Sequence, residues 1–266
     1  MIQRMAEGTC FRGCMLFALL SSLLLPISAL SEAVRVRYAE GLTHGFLVLR
    51  TLDGKTIADG DLTQVVHGDR VTSRVVFRFK DGSLHDETTV FSQDGIFRML
   101  SEHLIQKGPS FGDPIDVSID GSSGNITVRT EHHGNEKVET EHFDLPQDTA
   151  NGLIFILLKN LRSEAGETKV PMVATTPKAR LVNLAITREG LEPFSAGDAK
   201  HKATHFLVKV QIGGAAGLIA PLIGKKPPDI HVWILDGDAP VFVKSEGPLF
   251  YGGPIWRIEL VSPVWH

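Results

Sequence analysis

Histidines and carboxylates are the side chains here best suited to chemistry, and their spacing decides how much of it they could do. His201 and His205 stand four apart, while His132, His133 and His142 surround an expected hairpin that also carries Glu131 and Glu136. Four-residue spacing aligns two imidazoles for one metal ion on a helix. Residues 201 to 212 alternate instead like coil entering a strand, where positions four apart share a face but stand about 13 Å from each other. The helical metallopeptidase pattern also needs glutamate after its first histidine, and Lys202 occupies that place. No metal, cofactor or catalytic residue is therefore assigned. Asp86, Glu87 and Glu102 fall on neighbouring expected strands, and two of them could serve as general acid and base if they faced one sugar cleft. Exposed strand faces ordinarily carry such residues. No serine sits in a Gly-x-Ser-x-Gly turn, so a nucleophilic triad has no anchor.

Two further segments could bind rather than react. Gly213 to Gly224 is apolar and glycine-rich and is closed by Lys225-Lys226-Pro227-Pro228, although connecting loops are usually polar. Packed inward, Leu218, Ile219, Leu222 and Ile223 would complete a core. Turned outward, they would cover a lipid-binding cavity while the lysines met anionic headgroups. The stretch lacks the Gly-Lys-Ser/Thr of a phosphate loop. Near the C-terminus, Trp256, Ile258 and Leu260 share one strand face, with Arg257 and Glu259 on the other. Trp256 reads as core or as one wall of a ligand site.

The elements that must hold these residues are mostly strands. From Thr43 to Arg129, two-residue alternation is punctuated by Asp53-Gly54, Gly68-Asp69, Asp81-Gly82, Asp94-Gly95 and Gly121 to Gly124, the signature of antiparallel hairpins. Val75, Phe77 and Phe79 oppose Arg74, Arg78 and Lys80, as in a half-buried sheet, whereas Ile96 to Ile105 is apolar on both faces and reads as central. Leu153, Ile154, Leu157, Leu158 and Leu161 recur at helical spacing and predict a principal helix over Thr149 to Leu161, with Asp148 as N-cap and Lys159 and Arg162 at the negative end of its dipole. Strand character resumes over Val170 to Ile186 and His205 to Ile212. It ends in a hairpin of Val232 to Leu235 and Val241 to Val243, closed by Ile255 to Val261.

Composition narrows the function classes. Arg4 and Arg12 precede a short apolar run, Cys14 to Leu25, ended by Pro26, with Ser31 and Ala33 at signal-peptidase spacing. Residues 1–33 thus read as a cleaved signal peptide, and 34–266 as a single mature β-rich domain, periplasmic or secreted. Both cysteines, Cys10 and Cys14, would leave with the signal, so no disulfide is expected. A formal net charge of -4 gives no electrostatic footprint for nucleic acid. No further run is long and apolar enough for a transmembrane helix.

Leu145-Pro146-Gln147-Asp148-Thr149-Ala150-Asn151-Gly152-Leu153 with Leu157-Leu158-Lys159-Asn160-Leu161, and Gly252-Gly253-Pro254-Ile255-Trp256-Arg257-Ile258-Glu259-Leu260, resemble segments of exported bacterial proteins of unknown function. That resemblance implies no activity. At the level of architecture the expected fold is α+β, mainly β: a long curved antiparallel sheet wrapped over one principal helix, similar to the half-barrel of periplasmic lipoprotein carriers. The leading expectation is non-enzymatic binding of an apolar or lipid-like molecule between sheet and helix, with Leu218, Ile219, Leu222, Ile223 and Trp256 as ligand-binding residues. The alternatives are an exported hydrolase with a carboxylate or histidine site, and a structural or interaction module of the cell envelope.

Overall fold

The computed structural model of the chain describes residues 33–132, 134–162, 166–175, 178–196, 199–211 and 227–261. The expected signal peptide, apart from Ala33, and the Gly213 to Gly224 segment lie outside the described residues.

The chain is mainly β, as its alternation predicts. Eight strands follow one another as β1 (Thr43–Thr51), β2 (Thr56–His67), β3 (Arg70–Phe79), β4 (Leu84–Ser92), β5 (Arg98–Lys107), β6 (Ile115–Asp120), β7 (Asn125–His132) and β8 (Asn135–His142). After the helix α1 (Ile154–Asn160) come β9 (Thr168–Ala174), β10 (Arg180–Ala196), β11 (Ala199–Gln211), β12 (Ile230–Leu235), β13 (Val241–Gly247) and β14 (Trp256–Val261). All pair antiparallel in one fourteen-stranded sheet, ordered β8-β7-β6-β5-β4-β3-β2-β1-β14-β13-β12-β11-β10-β9. Two meanders are thus joined where β1 meets β14, with Leu49 opposite Ile258. The expected strand Val170 to Ile186 is two strands, β9 and β10, and β10 runs on to Ala196.

The sheet is strongly curled, and chain length shows it. Laid flat, fourteen strands at about 4.8 Å spacing would place the edges β8 and β9 roughly 60 Å apart. Asn151 lies nine residues beyond the end of β8, a reach of at most about 30 Å, and its side chain bonds the β9 backbone: Nδ2 donates to the Val173 carbonyl at 3.0 Å and Oδ1 accepts from the Val173 N–H at 2.8 Å. The same side chain hydrogen-bonds Glu102 of β5. Lys178, in the turn after β9, pairs with Glu141 of β8 at 3.1 Å. The two edges therefore approach each other, and the β8–β9 connection fills the seam between them.

That connection carries the helix, which is shorter than its apolar spacing predicts. Thr149 turns back, its N–H and hydroxyl both donating to the Pro146 carbonyl, and the Ala150 N–H donates to Pro171 of β9. Gly152 adopts a left-handed φ of 65° against Thr89, where a β-carbon would collide. These tertiary bonds consume the first turn, so the helix begins at Ile154. Asp148 is not its N-cap; that position is Leu153, which makes no side-chain cap bond. Seven residues without a cap are marginal alone. Burial of Ile156, Leu157 and Leu158 holds them, each contributing about 1.5–3 kcal/mol.

One apolar cluster joins the helix to the inner faces of both meanders, through Leu49, Phe77, Phe91, Phe97, Ile126, Leu184 and Val232 among others. The space between sheet and helix is occupied by packed side chains. Ahead of β1 the chain straps across the end of the helix: Asn160 Oδ1 accepts the N–H groups of Arg37 at 2.8 Å and Tyr38 at 2.7 Å, while Glu40 and Gln93 bond each other through backbone and amide.

Candidate functional site

Where the strap, the end of α1, and β10 to β12 meet, a cleft of about 240 Å³ opens. Its apolar floor is Leu158, Phe206 and Ile234, and its rim carries Arg37, Lys159, Arg162 and Arg188 against the single carboxylate of Asp236. Sequence dictates each position. Lys159 is in the last helical turn, Arg37 is fixed through its own N–H on Asn160, and Arg188 precedes a bulge at Gly190 that alters the pairing of β10 with β11. Arg37 donates to the Leu161 carbonyl at 3.1 Å, taking the helix-end role expected of Arg162, and lies over the Tyr38 ring. Arg188 donates to Thr204 Oγ1 at 3.3 Å, and that hydroxyl in turn donates to Asp236. Lys159 pairs with the buried Glu40 at 2.6 Å. Arg162 is exposed and has no partner among the described residues. The rim therefore retains uncompensated positive charge above an apolar floor, an arrangement suited to an anionic group with hydrocarbon attached.

A second cluster lies within the sheet. Strand alternation separates the three carboxylates singled out above: Asp86 points outward and takes a bidentate bond from Arg74, while Glu87 and Glu102 turn inward on adjacent strands. Glu102 is buried and bonded to Glu87 and Asn151. Burial, reinforced by the neighbouring Glu87 charge, pushes its carboxyl well above the usual carboxylate range, so of the two it holds a proton the more readily. Gln106 donates to His85 Nδ1 and to the Leu249 carbonyl, both at 3.0 Å, which assigns the His85 proton to Nε2, 3.5 Å from Glu87. The pair could move a proton, yet neither the main cleft nor the smaller one beside Gly166 is lined by it.

The histidines separate. His132 pairs with Asp113 at 2.9 Å, His142 meets Asn125, and His133 lies outside the described residues. His201 and His205 both belong to β11, which begins earlier than the sequence pattern predicts. His205 has a partner that sequence spacing missed: His231 on β12, with its Nδ1 2.9 Å from His205 Nε2. Only the β11–β12 register brings them together. Among the described residues no group of three or more potential ligands is arranged to hold a metal ion.

Of the residues expected to bind an apolar ligand, Leu218, Ile219, Leu222 and Ile223 lie outside the described residues. Trp256 is in the core, its ring 5.4 Å from Phe79, 6.0 Å from Phe250 and 6.3 Å from Phe111, and does not line the cleft. No family model and no curated protein matches the chain. A crystal structure described as a β-barrel-like protein of the domain of unknown function DUF1849 from Brucella abortus is similar at 10% identity, with a TM-score of 0.47, over 86% of this chain and 100% of that one. That likeness assigns no activity.

Proposed function

We propose that this is an exported, non-enzymatic binding module whose arginine-bearing cleft receives the anionic headgroup of an apolar or lipid-like molecule. The observation that carries the reading is the cleft itself: with Lys159 taken up by Glu40, three arginines, Arg37, Arg162 and Arg188, face the carboxylate of Asp236 over a floor of Leu158, Phe206 and Ile234. Its volume is below the roughly 300–1,000 Å³ of pockets that enclose a drug-sized ligand, so it fits a headgroup rather than a whole lipid. Leu218, Ile219, Leu222 and Ile223 are the sequence's candidates for the apolar part of the ligand. Their segment joins Gln211 to Ile230, the ends of β11 and β12 away from the cleft.

Calorimetric titration with dodecyl phosphate, dodecyltrimethylammonium and inorganic phosphate tests this reading. The expected order is dodecyl phosphate far ahead of phosphate, with no binding of the cationic detergent, and at least tenfold weakening in Arg162→Ala and Arg188→Ala. Equal binding of both detergents, or binding untouched by either substitution, would overturn it. The hydrolase alternative has its carboxylates together, but Glu102 is buried beside Glu87 and Asn151 and neither carboxylate lines the cleft.

A further inference from the structure

The two edges of the sheet are finished differently. Along β9 the edge is covered by the chain's own connection, through the Ala150 N–H on Pro171 and the Asn151 side chain on both backbone groups of Val173. β8 ends the sheet on the other side, and among the described residues its outer backbone groups meet no hydrogen-bonding partner. Every residue of Asn135–His142 except Glu141 is exposed, and Val138 is 53% open to solvent. The strand contains no proline, and no bulge interrupts its register with β7. Of the usual devices that blunt an edge, it therefore has only charge.

We infer that β8 is the docking edge for a second copy of this chain, which adds its own β8 antiparallel about a two-fold axis at Val138. Backbone geometry and charge select that register. Only every second residue of an edge strand directs its N–H and C=O outward, and antiparallel partners must both be of that kind or both not, so the axis passes where one residue meets its own copy. At Glu136, Lys137, Glu139 or Glu141 that residue would oppose its own charge, and at Thr140 the axis would set Glu139 against Glu141 twice. At Val138 every pair is complementary. Val138 packs on its copy, while Lys137 meets Glu139, Glu136 meets the Thr140 hydroxyl, and Asn135 meets Glu141, each of these twice. Lys137 already reaches Glu139 of its own strand at 2.9 Å, so the two charges share a face and need only exchange partners. The paired stretch, Asn135 to Glu141 on each chain, buries less than the roughly 1,200 Å² of a stable interface, so the association is weak and reversible. The charges that admit this one register also repel the others.

Sedimentation of the purified chain at low salt, between about 10 µM and 1 mM, tests the inference with the help of two charge reversals. The parent should pass reversibly from monomer to dimer over that range. Lys137→Glu and Glu139→Lys should each self-associate at least tenfold more weakly, because each sets two like-charged pairs across the axis. Both side chains are exposed, so neither variant disturbs the fold. Mixed in equal amounts, the two variants should form a heterodimer about as readily as the parent forms a homodimer, since each reversed side chain then faces an opposite charge. A parent that stays monomeric at 1 mM, variants that dimerise as the parent does, or a mixture that recovers no association would overturn the inference.

Discussion

At the scale of single residues, buried polarity is concentrated in one place. Glu102 shares the inner face with Glu87 and His85, and its raised carboxyl makes stability depend on pH with a definite sign. The folded chain holds a proton that the unfolded chain releases above about pH 4.5, so this group's stabilisation is fully present below that value. It declines as pH rises toward the folded pKa. Glu102→Gln keeps a donor for Glu87 and an acceptor for Asn151 but cannot ionise. Urea denaturation between pH 4.5 and 8 should therefore show the variant gaining on the parent as pH rises, whereas parallel curves would show that Glu102 does not titrate in this range. None of this pairing was legible in sequence. Asp86, Glu87 and Glu102 are equivalent by composition, and only the β4–β5 register with the bulge near Phe91 decides which two meet. His231 escaped for the same reason, because its partner is 26 residues away on another strand.

At the scale of elements, local signals were read correctly wherever local physics governs. Asp-Gly turns and alternation gave the hairpins of the first meander, and the Asp236 to Pro240 turn gave the last. The helix shows where that stops. Its apolar stripe is real, but Thr149 to Gly152 are spent on bonds to Pro146, β9 and β5 that no propensity encodes. Asn151 is the test of this. In Asn151→Ala, two bonds to β9 and one to Glu102 disappear inside the fold, and stability should fall by about 2–3 kcal/mol. Amide exchange at Val173 should accelerate well beyond that at Val208 in β11. A uniform change across the sheet would mean that Asn151 does not hold this edge in particular.

At the scale of the whole molecule, curling brings β8 and β9 together around their own connection and leaves a charged opening beside the helix end. The mainly β sheet wrapped over a helix was legible, since alternation marks the strands and the apolar stripe of Leu153, Ile154, Leu157, Leu158 and Leu161 needs a surface to cover. The cleft was not. Arg37, Arg162, Arg188 and Asp236 are scattered over 200 residues, and without the strap, the bulge and the turn they are ordinary surface charges. The sequence pointed to Gly213–Gly224, which lies outside the described residues, and to Trp256, which packs in the core, whereas the cleft is conspicuous for charge over an apolar floor. Its central claim, an anionic amphiphile at that cleft, is tested most directly by native mass spectrometry of the chain purified gently from an exporting bacterium, before and after organic extraction, with dodecyl phosphate then added to the extracted protein. The account predicts an extractable adduct with the mass of an anionic acyl lipid and its replacement by one dodecyl phosphate per chain. An unadorned chain that also takes up no dodecyl phosphate at 100 µM would contradict it.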